Sequence, residues 1–240
     1  MAIINFIKKI MVNINIHKAV FITILRSIYS DTLLRSILGF KGGTAAMLFY
    51  GLPRFSVDLD FDLLDIRKQN DVFTRLKEIL PQFGQLKEAT TKRYTLFFLL
   101  SYQQGERSLK VEISIRPSIA TFEPKSYLGI SILVMKEEDM AAGKLSAVLT
   151  RKKFAARDLF DLWFFLTNRW QINEEIIIEK TGLSLFHALK KAQDKVLSVK
   201  KTELLAGLGE LLAEKQKNWV REKLKDDLLF HLKLYQETIK

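Results

Sequence analysis

Arg54-Phe55-Ser56-Val57-Asp58-Leu59-Asp60-Phe61-Asp62-Leu63 alternates polar and apolar residues without a fault. Strand side chains have a period of two, so the pattern predicts a strand with one face in a core and one outside it. Phe55, Val57, Leu59, Phe61 and Leu63 take the apolar face. Arg54, Ser56, Asp58, Asp60 and Asp62 take the other. Three carboxylates in five residues repel one another unless solvent, a cation or a basic partner offsets them.

Two neighbouring stretches extend this reading. Upstream, Lys41-Gly42-Gly43-Thr44 runs into the helix-compatible Ala45-Ala46-Met47-Leu48-Phe49-Tyr50-Gly51-Leu52. A strand, a glycine-rich turn and a helix in that order leave backbone N–H groups and a positive helix end for phosphate. The spacing is not that of a Walker A loop, which argues against a P-loop ATPase. Downstream, Leu109-Lys110-Val111-Glu112-Ile113-Ser114-Ile115-Arg116 alternates as cleanly. If both strands share a sheet with one buried face, Glu112 falls on the side of Asp58 and Asp60. Three carboxylates beside a Gly-Gly-Thr turn make a site for divalent cations bound to a nucleoside triphosphate.

Around this centre the chain changes character near residue 135. Strands are predicted at residues 33–40, 54–63, 94–102 and 109–116. Helices are predicted at 137–150, 157–168, 172–193 and 202–239, the last interrupted at Gly207 or Gly209. Apolar positions at helical spacing give amphipathic helices over residues 3–30. The result is an α+β N-terminal half followed by a helical half. The chain has 240 residues, no cysteine and three scattered histidines, which excludes disulfide scaffolds, thiol catalysis and Cys-built metal sites and argues against a His-built one. Charged residues interrupt the Ile-rich N-terminus well short of a spanning helix, so no membrane association and a cytoplasmic location are expected. Thirty-eight basic against 27 acidic residues leave a net charge of +11, pointing to a polyanionic partner. The stretch 58–65, with four aspartates and no base, is an acidic island in that basic chain.

A Gly-Gly turn opening a helix, a DxD strand and a third acid on a neighbouring strand resemble the DNA polymerase β superfamily of nucleotidyltransferases. With KVEIS and KLSAVLTRKKFAARDLFDLWFFL further on, the order of the pieces resembles more narrowly the AbiEii/AbiGii toxin family, related to the MenT toxins. The resemblance implies a polymerase β-type nucleotidyltransferase core, a mixed sheet with flanking helices, over residues 1–135. A C-terminal helical domain, residues 136–240, is expected to complete the active site. It also implies an NTP substrate, Mg²⁺ or Mn²⁺, an RNA acceptor such as the tRNA 3′ end, and an antitoxin as partner. By the resemblance Lys41, Gly42, Gly43 and Thr44 form the phosphate-binding turn and Ser56 contacts phosphate. Asp58 and Asp60 fall on metal ligands, with Glu112 as the third acid where polymerases often carry Asp.

The second block adds ionisable groups on apolar helix faces. Lys144 has Met140, Ala141, Ala147 and Val148 one turn away on either side. Asp158 and Asp161 stand among Phe154, Leu162, Phe164 and Phe165. Such groups are costly without partners. Internal salt bridges, Lys144 with Asp158 and Arg157 with Asp161, would satisfy them. The resemblance instead assigns Lys144 to the triphosphate, and Asp158 or Asp161 to orienting it or to a base near the acceptor hydroxyl. Arg54, Arg116 and Arg151 are phosphate candidates, and Lys190, Lys191, Lys195, Lys200 and Lys201 are candidates for RNA backbone contacts. Nucleotide transfer to a protein hydroxyl, and a non-catalytic nucleic-acid-binding protein on the same scaffold, are the rival readings.

Overall fold

The first helix, α1 (Ile14–Ser30), turns one apolar stripe, Phe21, Ile24, Leu25 and Ile28, fully inward. A computed structural model describes residues 14–103 and 108–239. The part of the helical reading that covers residues 3–13 lies outside them. Chain contacts divide the protein into two compact units. The first comprises residues 1–51, 55–118 and 122–135, and the second comprises Leu52–Arg54, Ile119–Thr121 and Lys136–Lys240.

The first unit is built on seven strands: β1 (Leu38–Lys41), β2 (Leu59–Leu63), β3 (Gln85–Lys92), β4 (Thr95–Ser101), β5 (Leu109–Ser114), β6 (Phe122–Tyr127) and β7 (Ile130–Met135). They form one mixed sheet in the order β3-β4-β5-β2-β1-β7-β6. Strand β2 pairs antiparallel with β1 and parallel with β5, while β1 pairs parallel with β7. Helices α2 (Leu34–Ile37), α3 (Gly42–Phe49) and α4 (Gln69–Ile79) complete the unit. This is the α+β arrangement, a mixed sheet with flanking helices, expected for the N-terminal half. The core lies on the Phe61 side of the sheet. There the Phe61 ring centroid lies 5.2 Å from that of Phe40 and 6.5 Å from Tyr29 of α1, and Phe73 of α4 lies 5.2 Å from Phe98.

Several predicted bounds shift for local reasons. The strand expected from Leu33 begins only at Leu38, because the Asp31 carboxylate accepts from the N–H groups of Leu33 and Leu34 and starts a helical turn there. The strand expected over residues 54–63 is confined to Leu59–Leu63. Upstream of it Arg54, Phe55, Ser56 and Val57 are all buried, so alternation there separates no faces. The Val57 carbonyl takes the His17 ring and the Asp58 carbonyl takes the Thr44 hydroxyl, where a strand would offer both to a neighbour. The hairpin β6–β7 is not among the predicted strands; Pro124 sits in β6, at the edge of the sheet, where Pro is tolerated. Its turn, Leu128 at φ 48° and Gly129 at φ 77°, has both central residues left-handed, the conformation of a two-residue hairpin.

The second unit carries α5 (Glu137–Thr150), α6 (Ala156–Thr167), α7 (Glu174–Thr181), α8 (Leu185–Ser198), α9 (Glu214–Glu222) and α10 (Leu224–Thr238). The helix predicted over 172–193 is two, since Gly182 adopts φ 70° after α7 and Ser184 caps α8. Between Thr202 and Ala213 there are only short 3₁₀ turns where helix was expected. Asp139, 1% exposed, ties the start of this unit together. It accepts from the Thr121 N–H and hydroxyl at 2.6 and 2.8 Å, and from the Asn173 amide at 2.7 Å.

Because Phe61 is fully buried directly beside Asp60, Phe61→Ala should lower the unfolding free energy by about 3–5 kcal/mol, read from the urea midpoint.

Candidate active site

In the first unit the site is assembled at the start of β2. Register pairing sets Asp60 of β2 against Lys41 of β1 on one side and Glu112 of β5 on the other. Paired residues point to the same face, so Asp60 and Glu112 are neighbours on the polar face, both half-buried. Asp58 precedes the strand, with its carbonyl held by Thr44. Asp62 lies further along the same face, 4% exposed, and its carboxylate receives the Lys41 ammonium at 2.5 Å. Lys41 is thus engaged by the third aspartate of the island.

The glycine-rich turn is shaped around Asp60. Gly42 has φ +80°, and a Cβ built there would stand 2.5 Å from Asp60 Oδ2. Only glycine admits that carboxylate against the turn. Helix α3 starts at Gly42 with no side-chain cap, leaving its N-terminal N–H groups for an anion. Thr44 is fully buried, with its hydroxyl donating to Asp58, so it braces the aspartate-bearing segment. His17, also fully buried, holds the adjacent residue: Nε2 donates to the Val57 carbonyl at 2.9 Å, while Nδ1 faces the Tyr102 hydroxyl at 2.8 Å. Ser56 is 8% exposed in this irregular stretch.

Among the described residues no three His, Cys, Asp or Glu side chains are gathered as a ready cation cage. The donor set still suits a hard cation, since Asp58, Asp60 and Glu112 offer only oxygen, the ligand type Mg²⁺ and Mn²⁺ take.

The second unit holds a row of alternating charges. Arg54 lies with Asp161, its Nε 2.5 Å from Oδ1 and its Nη2 2.7 Å from Oδ2. Lys144 of α5 reaches Asp161 at 2.7 Å and Asp158 at 3.2 Å. Arg151 Nε stands 2.9 Å from Asp158 Oδ2 without the alignment of a hydrogen bond. Three cations against two carboxylates leave one positive charge over. Arg54, expected as a phosphate ligand, is 5% exposed and forms part of this row. Arg157, offered as a partner for Asp161, is replaced there by Arg54, 107 residues away along the chain, a distance that no helical spacing could reveal.

Asp158 and Asp161 differ in what they can do. Burial alone would raise the Asp161 carboxyl, but Lys144 and Arg54 overcome it and hold it at about 2. A carboxylate so placed, bonded at both oxygens, is a poor proton acceptor at neutral pH. Asp158 keeps one oxygen without an aligned donor, beside a cavity of about 120 Å³ lined also by Arg151, Phe154 and Lys195. Of the basic segment, Lys190, Lys191, Lys200 and Lys201 are exposed, whereas Lys195 donates to the Leu149 carbonyl.

The chain matches the family described as "Nucleotidyl transferase AbiEii toxin, Type IV TA system" over residues 23–232. It belongs to the AbiEii family of nucleotidyltransferase toxins. Among solved structures it is similar to JHP933 from Helicobacter pylori, at 22% identity and a TM-score of 0.62, with 94% of this chain and 93% of that one covered. It is also similar to MenT4, a nucleotidyltransferase toxin from Mycobacterium tuberculosis, at 20% identity and a TM-score of 0.50, with 85% of this chain and 80% of that one covered. No curated protein matches it. Among the described residues no helix is long and apolar enough to cross a membrane.

The folded-state value of about 2 for Asp161, against an ordinary 3.8, is a depressed pKa. Its stabilisation is present above the ordinary value and is lost as pH falls towards 2, and it amounts to about 2 kcal/mol. Asp161→Asn should therefore flatten the acid limb of a urea-stability profile. It should also cost about 3 kcal/mol or more at neutral pH, because it leaves Arg54 buried without its counter-charge.

Proposed function

We propose that this AbiEii-family toxin transfers a nucleotide from an NTP to an RNA acceptor, the 3′ end of tRNA, in the cytoplasm, with pyrophosphate released. The observation that carries the reading is Asp60 beside Glu112 on adjacent parallel strands, with the Gly42 turn closed against Asp60. The acceptor's hydroxyl oxygen attacks the α-phosphorus, the bond to the β-phosphate's bridging oxygen breaks, and the hydroxyl proton passes to Glu112. Asp58, Asp60 and Glu112 would hold Mg²⁺ or Mn²⁺, which supplies charge neutralisation at the phosphates.

Backbone N–H groups of Gly43 and Thr44 at the uncapped end of α3 receive the triphosphate, with Ser56 as a further donor. Thr44 and His17 keep the Asp58 segment in place. Lys144 supplies a cationic contact to the triphosphate, its ammonium held by Asp161 at 2.7 Å. Asp158, with an oxygen that lacks an aligned donor, is then the acid assigned to the acceptor side. Exposed Lys190, Lys191, Lys200 and Lys201 supply phosphate contacts for RNA, and the net charge of +11 favours such an acceptor over a small neutral one. An antitoxin, as the family's type IV systems imply, is the regulatory partner.

The reading is tested by supplying each α-labelled NTP with Mg²⁺ to total RNA and, separately, to total protein. Label should enter tRNA, and Asp58→Ala should abolish it while leaving the circular-dichroism spectrum unchanged. Label that enters protein alone would transfer the assignment to a protein hydroxyl. Lys144→Met should lower transfer by about 10²-fold or more.

A further inference from the structure

Strands β3 and β4 are joined by a turn at Arg93 and Tyr94, in which Tyr94 is 40% exposed. Two guanidinium groups stand about its ring, Arg93 at 5.0 Å and Arg116 at 4.8 Å from the centroid. Arg67 and Arg75 of the same unit are held by carboxylates, Asp65 in one case and Asp31 and Glu78 in the other, whereas Arg26 and Arg35 are exposed with no ion pair among the described residues. Among the described residues neither Arg93 nor Arg116 makes an ion pair, so their charge and N–H donors remain available to an anion.

The turn is also connected to the candidate acids. Phe97 pairs in register with Glu112 and so shares its face of the sheet. The Lys92 ammonium lies over the Phe97 ring, 3.3 Å from its centroid. Lys92 pairs with Thr95, and Thr95 with Ser114, two residues beyond Glu112. The Tyr94 carbonyl accepts from the Ile115 N–H at 3.1 Å, three residues along from Glu112. At about 3.3 Å per residue, that sets the turn on the order of 10 Å from the acid.

We propose that Tyr94, with Arg93 and Arg116, is a stacking platform for a base of a single-stranded RNA segment, the one whose end the site modifies. This rests on the reading of the protein as an RNA nucleotidyltransferase. An aromatic face with unpaired guanidinium groups accepts any base by stacking and the neighbouring phosphates by charge. Charge alone would equally suit an acidic peptide, and the exposed ring is what favours a nucleobase. Arg116, a phosphate candidate from the sequence, lies over the Tyr94 ring.

The test is fluorescence anisotropy of a fluorescein-labelled single-stranded oligoadenylate, with polyglutamate as competitor, alongside the labelled-NTP assay. Tyr94→Ala should weaken oligoadenylate binding by roughly 5- to 150-fold, the range of one lost stacking contact. Tyr94→Phe should bind within about twofold of the wild type, since the ring is kept. Removing Arg93 and Arg116 together should reduce the slope of log affinity against log salt by about 0.7 per arginine. In transfer, Tyr94→Ala should raise the KM for RNA and leave the KM for NTP unchanged. A wild type that binds RNA through Tyr94 yet labels none would sink the catalytic reading and leave the platform standing. Transfer to RNA with binding and KM both indifferent to Tyr94→Ala would overturn the platform, as would polyglutamate displacing the RNA with equal effect on wild type and Tyr94→Ala.

Discussion

Strand β2 must satisfy opposite demands on its two faces. Phe61 is enclosed by aromatic rings while Asp60 and Asp62, one residue to either side, carry charge. The pleat enforces this, since a slip of one residue would turn the carboxylates into the aromatic core and phenylalanine out of it. Register with β1 and β5 therefore follows from hydrophobic burial, and that same register brings Glu112 beside Asp60. The position of the acids is a by-product of packing on the far side of the sheet. Lys41 then neutralises Asp62 at the inner end of the row, which leaves Asp58 and Asp60 as the carboxylates nearest the turn.

The second unit solves a different problem, that of holding ions away from water. Desolvating a carboxylate is costly, and Asp161 persists because two cations share it with short contacts. Lys144 is held at one end by that carboxylate and remains 18% exposed at its side chain, so a single cation is both fixed in position and reachable. The backbone supports the arrangement elsewhere through Asp139, whose oxygens join Thr121 and Asn173 to the start of α5.

What was legible in the sequence follows from the range of the interactions concerned. The alternation of residues 59–63 and 109–114 is local, so the strands and their buried faces could be read directly, while the shared side of Asp60 and Glu112 depends on the two strands pairing in one sheet. So could the helices around Lys144 and Asp158, and the ion pair between those two. Residues 54–58 carry the same alternation yet form no strand, because His17 and Thr44 take their carbonyls from distant points in the chain. The partners of Arg54 and Lys41 were hidden for the same reason. Strand β3, almost entirely polar, offers no apolar period to detect, and the Leu128-Gly129 turn was the neglected sign of β6 and β7.

The protein contains two populations of positive charge that differ in their response to ionic strength. Arg54 and Lys144 lie within direct contact of carboxylates and largely out of solvent, where mobile ions scarcely screen them. Lys190, Lys191, Lys200 and Lys201 project into water and act over a Debye length that shrinks as salt rises. Salt can thus shorten the reach of the surface lysines while leaving the internal charge row intact. The reach of the surface charge and the cohesion of the helical unit are separately adjustable properties of one chain.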